Sequence, residues 1–519
     1  MRWKPHIWAL VLIVLCGAAL RTYDIAGVPS ELIVDELDLY NSAQSIATTG
    51  HDIDGTLMPF LYCSLTRNPP MYAVAGYASS LVFGKNPFGL RFPAILFGLA
   101  AILLMYGIAL ELTGRRDVAL VTALLQATQP IFIHFSRVAW EPASELPFLL
   151  GGLYVALRAF RAADATATPD RISFKALALA ALLLGLTAYT YMAGWFYALV
   201  LGGGVLALNA RRLRSPDTRR KVLGTLAIWF VVAAPALWMW FFDAHTGQRT
   251  ARIATFQYGV SLASLRVFML NYLSQFRWSY LVTTGDPVNG VTWRYMVGFG
   301  AFFWWVIPAA ALGLLRARRY VGARWGFWWV GLWLIAYPLG GALTNEGVGV
   351  PNAPRTLAGA PVFCLLAAIG IVAVFDFAKI FRSPRLVVAL RAIFATNLAL
   401  SVALFSLFYF TKYVHEHANA WDSGTAALFG TIRDRYRGYS RLCVSVRPAW
   451  YGPDTYIRYY LSDIPIQKID NISNPACSLP GTMLAVDSDH PVVRDGFHEL
   501  ATIYDVDGAR FALLDVRPR

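Results

Sequence analysis

Asp35 and Glu36 stand side by side in the acidic turn Val34-Asp35-Glu36-Leu37, within a polar stretch that follows the first long apolar run. Acidic groups at a membrane boundary are costly unless they are solvated or put to use. Put to use, such a carboxylate takes the proton of an attacking hydroxyl as a general base, typically about 10²–10⁴-fold in rate. A second acid, Glu141, precedes Pro142 in a later polar turn, and Asp286 lies in Thr283-Thr284-Gly285-Asp286-Pro287. Arg67, just before Asn68-Pro69-Pro70, and Arg355, in Pro351-Asn352-Ala353-Pro354-Arg355, supply cations of the kind that grip phosphate through paired hydrogen bonds. His51, His134, His245 and Arg137 complete the polar set. Each residue also has a plainer role open to it. Asp35 and Glu36 suit the first turn of a helix, Glu141 can cap one, and Arg355 can snorkel to an interface.

The elements that position these residues are membrane helices. The chain has 519 residues, 57% hydrophobic and only 15% charged, where soluble domains carry about a quarter charged residues. Repeated apolar runs of bilayer length predict an α-helical polytopic membrane protein. The run from His6 to Leu20 follows Arg2 and Lys4, lacks a small-residue cleavage site, and reads as the first span. Cytoplasmic loops are rich in Lys and Arg, which orients the rest. The Met71–Gly84 run of about 14 residues is short for a crossing and reads as an interfacial helix in a first outer loop of about 21–91. The chain has about 11 spans in all, with Arg115-Arg116, Arg211 to Lys221 and Arg316 to Arg324 inside, and the carboxylate-bearing turns outside. Much of the formal charge of +14 is therefore a topology signal and an attraction to anionic lipid headgroups, with no nucleic-acid partner implied. A long outer loop of about 243–292 holds a second interfacial helix between Tyr258 and Tyr280.

Residues 1–410 form the membrane domain, and from about Thr411 the composition changes to that of a small soluble α/β domain. Trp421 to Tyr436 has helical spacing, Arg441 to Val446 and Thr482 to Val486 read as strands, and Thr455 to Leu461 as a short helix. Leu500 to Leu514 reads as a hairpin turning at Asp507-Gly508. With this domain outside, Cys443 and Cys477 are candidates for a disulfide, and two buried thiols are the alternative.

The chemistry that fits is group transfer from a lipid phosphate: a carboxylate base on the acceptor hydroxyl, with arginines on the leaving phosphate. A divalent cation could assist the leaving group, but the oxygen and imidazole ligands show no diagnostic spacing, so the metal stays open. The chain resembles the GT-C glycosyltransferases, in the bacterial branch akin to protein O-mannosyltransferases and aminoarabinose transferases (families 39 and 83). The resemblance rests on Arg21-Thr22-Tyr23 through Pro29, Asp35-Glu36, Asn68-Pro69-Pro70, Arg91-Phe92-Pro93 and His134-Phe135-Ser136-Arg137 to Glu141-Pro142. Gly285-Asp286-Pro287 and Glu346 through Pro354-Arg355 to Pro361 continue it. It implies a polyprenyl-phosphate-linked sugar donor, an inverting transfer to a lipid, glycan or protein of the cell envelope, and a site facing the periplasm from a bacterial inner membrane, with the N-terminus cytoplasmic. Asp35 would be the base or its closest partner, Glu36 its neighbour and Glu141 the second acid, with Arg67 and Arg355 on the lipid phosphate. Many relatives carry lysine before the Pro-Pro pair, where this chain has Asn68. A flippase for polyprenyl-linked glycans and a non-catalytic envelope assembly protein are the competing readings. The first is disfavoured because no internal repeat is visible and the acids sit in loops at the outer boundary, away from mid-membrane.

Overall fold

The computed structural model describes residues 4–63, 67–164, 172–243, 254–285, 299–344, 347–446, 453–465, 468–491, 497–505 and 508–516. Six helices among them are long and apolar enough to cross a membrane. They are α1 (Pro5–Thr22), α4 (Pro87–Thr113), the first 22 residues of α7 (Pro142–Asp164), α9 (Pro216–Phe242), α13 (Pro361–Ile380) and α14 (Pro384–Leu407), whose helical turns run on to Glu416. Shorter helices stand where the sequence places the remaining spans. These are α5 (Arg116–Thr128) with α6 (Pro130–Phe135), α8 (Phe174–Leu186), the apolar stretch 194–208, α11 (Val306–Tyr320) and α12 (Arg324–Ala336). The chain is thus a multi-pass helical membrane protein. Proline in the first turn of α4, α9, α13 and α14 starts each helix without losing a backbone hydrogen bond, since those N–H groups lack helical partners anyway.

Helix α13 is the axis of the bundle, buried continuously from Pro361 to Val372. It lies against α11 with almost no gap. A methyl at Gly313 would sit 1.7 Å from the Leu366 carbonyl, and one at Gly370 would sit 2.0 Å from the Ala309 carbonyl. Without a hydrophobic drive between helices in lipid, small residues at such crossings let backbone-level packing hold the bundle.

Three further helices lie in loops of the bundle. The loop after α1 carries α2 (Val34–Thr49), the short strands β1 (Tyr62–Cys63) and β2 (Arg67–Asn68), and α3 (Pro70–Phe83), and a later loop carries α10 (Leu262–Ser274). On α10 Leu262, Leu265, Met269 and Leu273 are exposed while Asn271 and Ser274 are buried, the pattern of a helix lying in the interface.

The C-terminal unit contains a five-stranded sheet in the order β4-β3-β5-β7-β6. Its strands are β3 (Arg441–Ser445), β4 (Ile469–Asn471), β5 (Thr482–Asp487), β6 (His498–Asp505) and β7 (Gly508–Val516). The first three pair in parallel, and the β6–β7 hairpin adds antiparallel to β5. Helices α15 (Thr425–Arg435) and α16 (Asp454–Tyr460) pack with one sheet face. Because side chains alternate along a strand, Leu442 and Val444 join the same apolar core as Leu428, Phe429 and Ile432, while Cys443 turns to the other face. There it forms a disulfide with Cys477, with a Cα–Cα distance of 5.9 Å. The apolar core under α15 is continuous with Leu32, Val34, Leu37 and Tyr40 of the first outer loop, so the sheet unit sits directly on α2.

Candidate active site

Three buried arginines build the platform for the acidic turn. Arg21, at the end of α1, donates to the carbonyls of Gly17, Gln126, Ala127 and Phe132. Arg137 donates to those of Leu20, Arg21, Asp24 and Val28, and its guanidinium lies 4.8 Å from the Phe410 ring centre. Arg91 donates to the carbonyls of Ile25, Pro29 and Glu31. A loop with no regular partner has to satisfy its carbonyls somehow; here Arg91 and Arg137 do it, while Arg21 fastens α1 to the junction of α5 and α6.

The same Arg91 grips Glu36, Nε to Oε1 at 2.9 Å and Nη2 to Oε2 at 3.0 Å, with both side chains fully buried. Glu36 Oε2 also accepts from Ile33 N at 3.1 Å and Oε1 from Ala139 N at 2.8 Å. Its oxygens therefore take four hydrogen bonds, closing a cap on α2 and fastening the turn that leads to Glu141. Asp35, beside it in the first turn of α2, is half-buried. Asp38 is three residues on and so lies on the same face of α2. Asn68 Nδ2 donates to its Oδ2 at 3.3 Å. Asn68 thus ties the Asn68-Pro69-Pro70 segment to the acidic face of α2, and Asp38 joins the acids picked from the sequence.

Glu141 is buried at the start of α7, and Glu145, one turn further, is fully buried. Neither carboxylate oxygen of Glu145 has a hydrogen-bond partner among the described residues. Ser144, between them, donates to the Thr190 carbonyl at 3.4 Å. The segment after Thr190 walls an apolar cavity of about 160 Å³, lined by Met192, Trp195, Phe196 and Leu343 and closed by buried Arg355. Arg355 is held from α10. Gln275 Oε1 accepts from Asn352 N at 3.1 Å, and Asn352 Oδ1 accepts from Arg355 N at 3.1 Å. Asn271 Oδ1 accepts from Gly349 N at 2.6 Å, and its Nδ2 donates to the Thr344 carbonyl at 3.1 Å. Tyr197 donates to the Tyr337 carbonyl at 2.7 Å and reaches the Arg355 carbonyl at 3.3 Å.

Through Ala139 N the Glu36 carboxylate ties the acidic end of α2 to the turn that leads to Glu141, and Ser144 of α7 reaches Thr190, two residues before the Met192 wall of the cavity that Arg355 also lines. Arg137 lies beneath the same turn. His51 stands apart, exposed, with Nδ1 2.9 Å from the Thr49 carbonyl. The Arg67 side chain, Asp286 and His245 lie outside what the structure describes; the Arg67 backbone pairs with Cys63 in a two-stranded ribbon. Among the described residues no three His, Cys, Asp or Glu side chains lie close enough to share a metal ion. Asn271 and Gln275 went unremarked in the sequence. Their only signal there is a pair of amides in an otherwise apolar helical run.

On the sheet side, Glu31 accepts from Gly424 N at 2.8 Å and Ala426 N at 2.9 Å, capping α15 from across the junction. Burial pushes its carboxyl up to about 7, against those two hydrogen bonds, which pull it down.

The multi-pass bundle, with a carboxylate turn and two further helices in the loop after α1 and a small sheet unit above, shares its fold with solved membrane transferases. Residues 67–240 match the family described as Dolichyl-phosphate-mannose-protein mannosyltransferase. Among solved structures the chain is similar to ArnT from Cupriavidus metallidurans bound to undecaprenyl phosphate, with 13% identity over 99% of this chain and 100% of that one, at a TM-score of 0.61. The apo state of that ArnT aligns over 99% of this chain and 98% of that one, at 12% identity and a TM-score of 0.56. The Archaeoglobus fulgidus oligosaccharyltransferase tethered to an acceptor peptide aligns over 98% of this chain and 74% of that one, at 15% identity and a TM-score of 0.50. No curated protein matches the sequence.

Proposed function

We propose that the protein transfers a sugar from a polyprenyl-phosphate donor to an acceptor of the cell envelope, on the outer face of a bacterial inner membrane, with inversion at the anomeric carbon. The observation that carries this reading is the apolar cavity closed by Arg355. Its walls are apolar and a guanidinium lines it, a combination that suits the phosphate end of a lipid-linked donor. The ArnT structure similar to this chain is bound to undecaprenyl phosphate, which supports the same donor class.

In this mechanism the acceptor hydroxyl attacks the anomeric carbon, the bond from that carbon to the phosphate oxygen breaks, and the proton passes to the Asp35 carboxylate. Arg355, with Arg67, neutralises the departing phosphate, and Asp35 returns the proton to water. Glu36 is a positioning residue, since its four hydrogen bonds are spent on holding the turn. Arg137 does the same from below through backbone carbonyls. Glu141 borders the turn as the second acid. The divalent cation left open by the sequence is given no step here.

The test is donor-dependent transfer by purified protein in lipid nanodiscs, using radiolabelled polyprenyl-phosphate sugars and native envelope extract. Label appearing in an envelope product, with free polyprenyl phosphate released in equal amount, is the expected result. Label carried across the bilayer without a new glycosidic bond would instead make the protein a flippase.

A further inference from the structure

A transferase with a lipid donor needs a second, unlike pocket for its acceptor, and the sheet junction provides one. A cleft of about 390 Å³ opens between the α3–α4 turn and the helices of the C-terminal unit. Leu32, Lys85, Arg433, Tyr460, Ser462 and Asp463 are among its walls, and it shares no lining residue with the cavity that holds Arg355. Leu32 stands three residues before Asp35, so the cleft adjoins the loop that carries the proposed base.

Its chemistry is that of a polar ring with a flat apolar side. Tyr460 ends a stack of three near-parallel rings: Phe429 lies 6.2 Å from Tyr456 at 5° and 5.8 Å from Tyr460 at 3°. A ring fixed in this way is a rigid platform, and rigidity lowers the ordering cost of binding. Lys85 is fixed as well. Its Nζ lies 4.5 Å from the Tyr459 ring centre and 5.4 Å from that of Tyr40, and it donates to the Tyr459 carbonyl and to Ser462 Oγ. The rim carries both signs, Lys85 and Arg433 against Asp463, with the Ser462 hydroxyl between. A phosphate would call for cations alone. Donors and acceptors around one aromatic face match the alternating hydroxyls of a saccharide.

We propose that this cleft docks a saccharide acceptor, either a free glycan or the glycan headgroup of a lipid; the proposal rests on the transferase reading above. The acceptor sugar would lie on Tyr460, with its hydroxyls on Arg433, Asp463 and Ser462, while the donor enters from the membrane side.

The experiment uses the full chain in nanodiscs and measures binding of N-acetylglucosamine, chitobiose and methyl mannoside by saturation-transfer NMR. The expected result is binding of at least one probe, weakened about tenfold in Arg433→Ala and in Asp463→Asn. These are exposed substitutions, so a melting temperature equal to the parent's is expected alongside. Asp35→Asn and Arg355→Ala should bind the probe as the parent does. In the transfer assay, Arg433→Ala should raise the acceptor KM and leave the donor KM unchanged. Binding of none of the probes, or binding that both rim variants retain in full, overturns the proposal. Transfer with an unchanged acceptor KM in Arg433→Ala overturns it too, with the transferase intact. Rim-dependent binding without transfer from any donor keeps the saccharide site and removes the transferase.

Discussion

The Arg91 guanidinium and the Glu36 carboxylate meet at two points, 2.9 and 3.0 Å apart, with both side chains withdrawn from solvent. One end of the pair belongs to the first turn of α4 and the other to the first turn of α2. Through Ala139 the pair also reaches the turn before α7. The proposed base is thus placed by a neighbour that does no chemistry itself.

Removing one partner of a buried pair costs about 3–5 kcal/mol, because the other is left charged and dry. Arg91→Ala and Glu36→Ala should each lower the melting temperature strongly in detergent. The double variant Arg91→Met with Glu36→Leu should recover part of that loss while transfer stays low. Full additivity of the two single losses in a double-mutant cycle would show that the pair is not a unit.

Arg355 depends on α10 through Gln275 and Asn352. Gln275→Leu leaves the Asn352 backbone N–H without its buried acceptor, a loss of about 1–3 kcal/mol. Binding of polyprenyl phosphate should weaken about 5- to 150-fold by that figure, and little further when Arg355→Ala is added. An unchanged affinity, measured by microscale thermophoresis, would free Arg355 from this chain of contacts.

Glu31 gives the docking of the sheet unit a pH dependence. Its carboxyl is raised from 4.5 to about 7 in the folded protein, so between those values the folded state binds more protons than the unfolded one. Stability then falls as pH rises through that window and levels off above it. Thermal melts from pH 4.5 to 8 should show the decline, and Glu31→Gln should flatten it. A Glu31→Gln profile parallel to the parent's would assign the slope to another group.

The helical spans were legible because apolar run length reports them directly, and those at α4, α9, α13 and α14 are stated by composition alone. The Met71–Gly84 run folds as the helix α3, of 14 residues. Strands β3 and β5 and the β6–β7 hairpin follow from alternation, the Cys443–Cys477 disulfide is one of the two readings the cysteines left open, and the three-residue β4 was too short to read. The division of labour within the acidic turn was not legible. Asp35 and Glu36 are adjacent and alike in type, and only the helix geometry turns one into the Arg91 clamp. Arg137 reads in sequence as a cation for a ligand, whereas its donors are taken up by the carbonyls of a loop more than a hundred residues away. Asn271 and Gln275 were invisible because hydrogen bonds to the backbone of a distant loop leave no periodic trace.

The most direct measurement of the central claim compares Asp35→Asn with the parent in the nanodisc transfer assay, with polyprenyl-phosphate binding followed on the same samples. The account predicts a fall in kcat of about 10²–10⁴-fold, as for loss of a general base, while donor affinity and melting temperature stay at the parent's values. Transfer at the parent's rate would contradict it, and would move the base to another acid, Asp38 or Glu141.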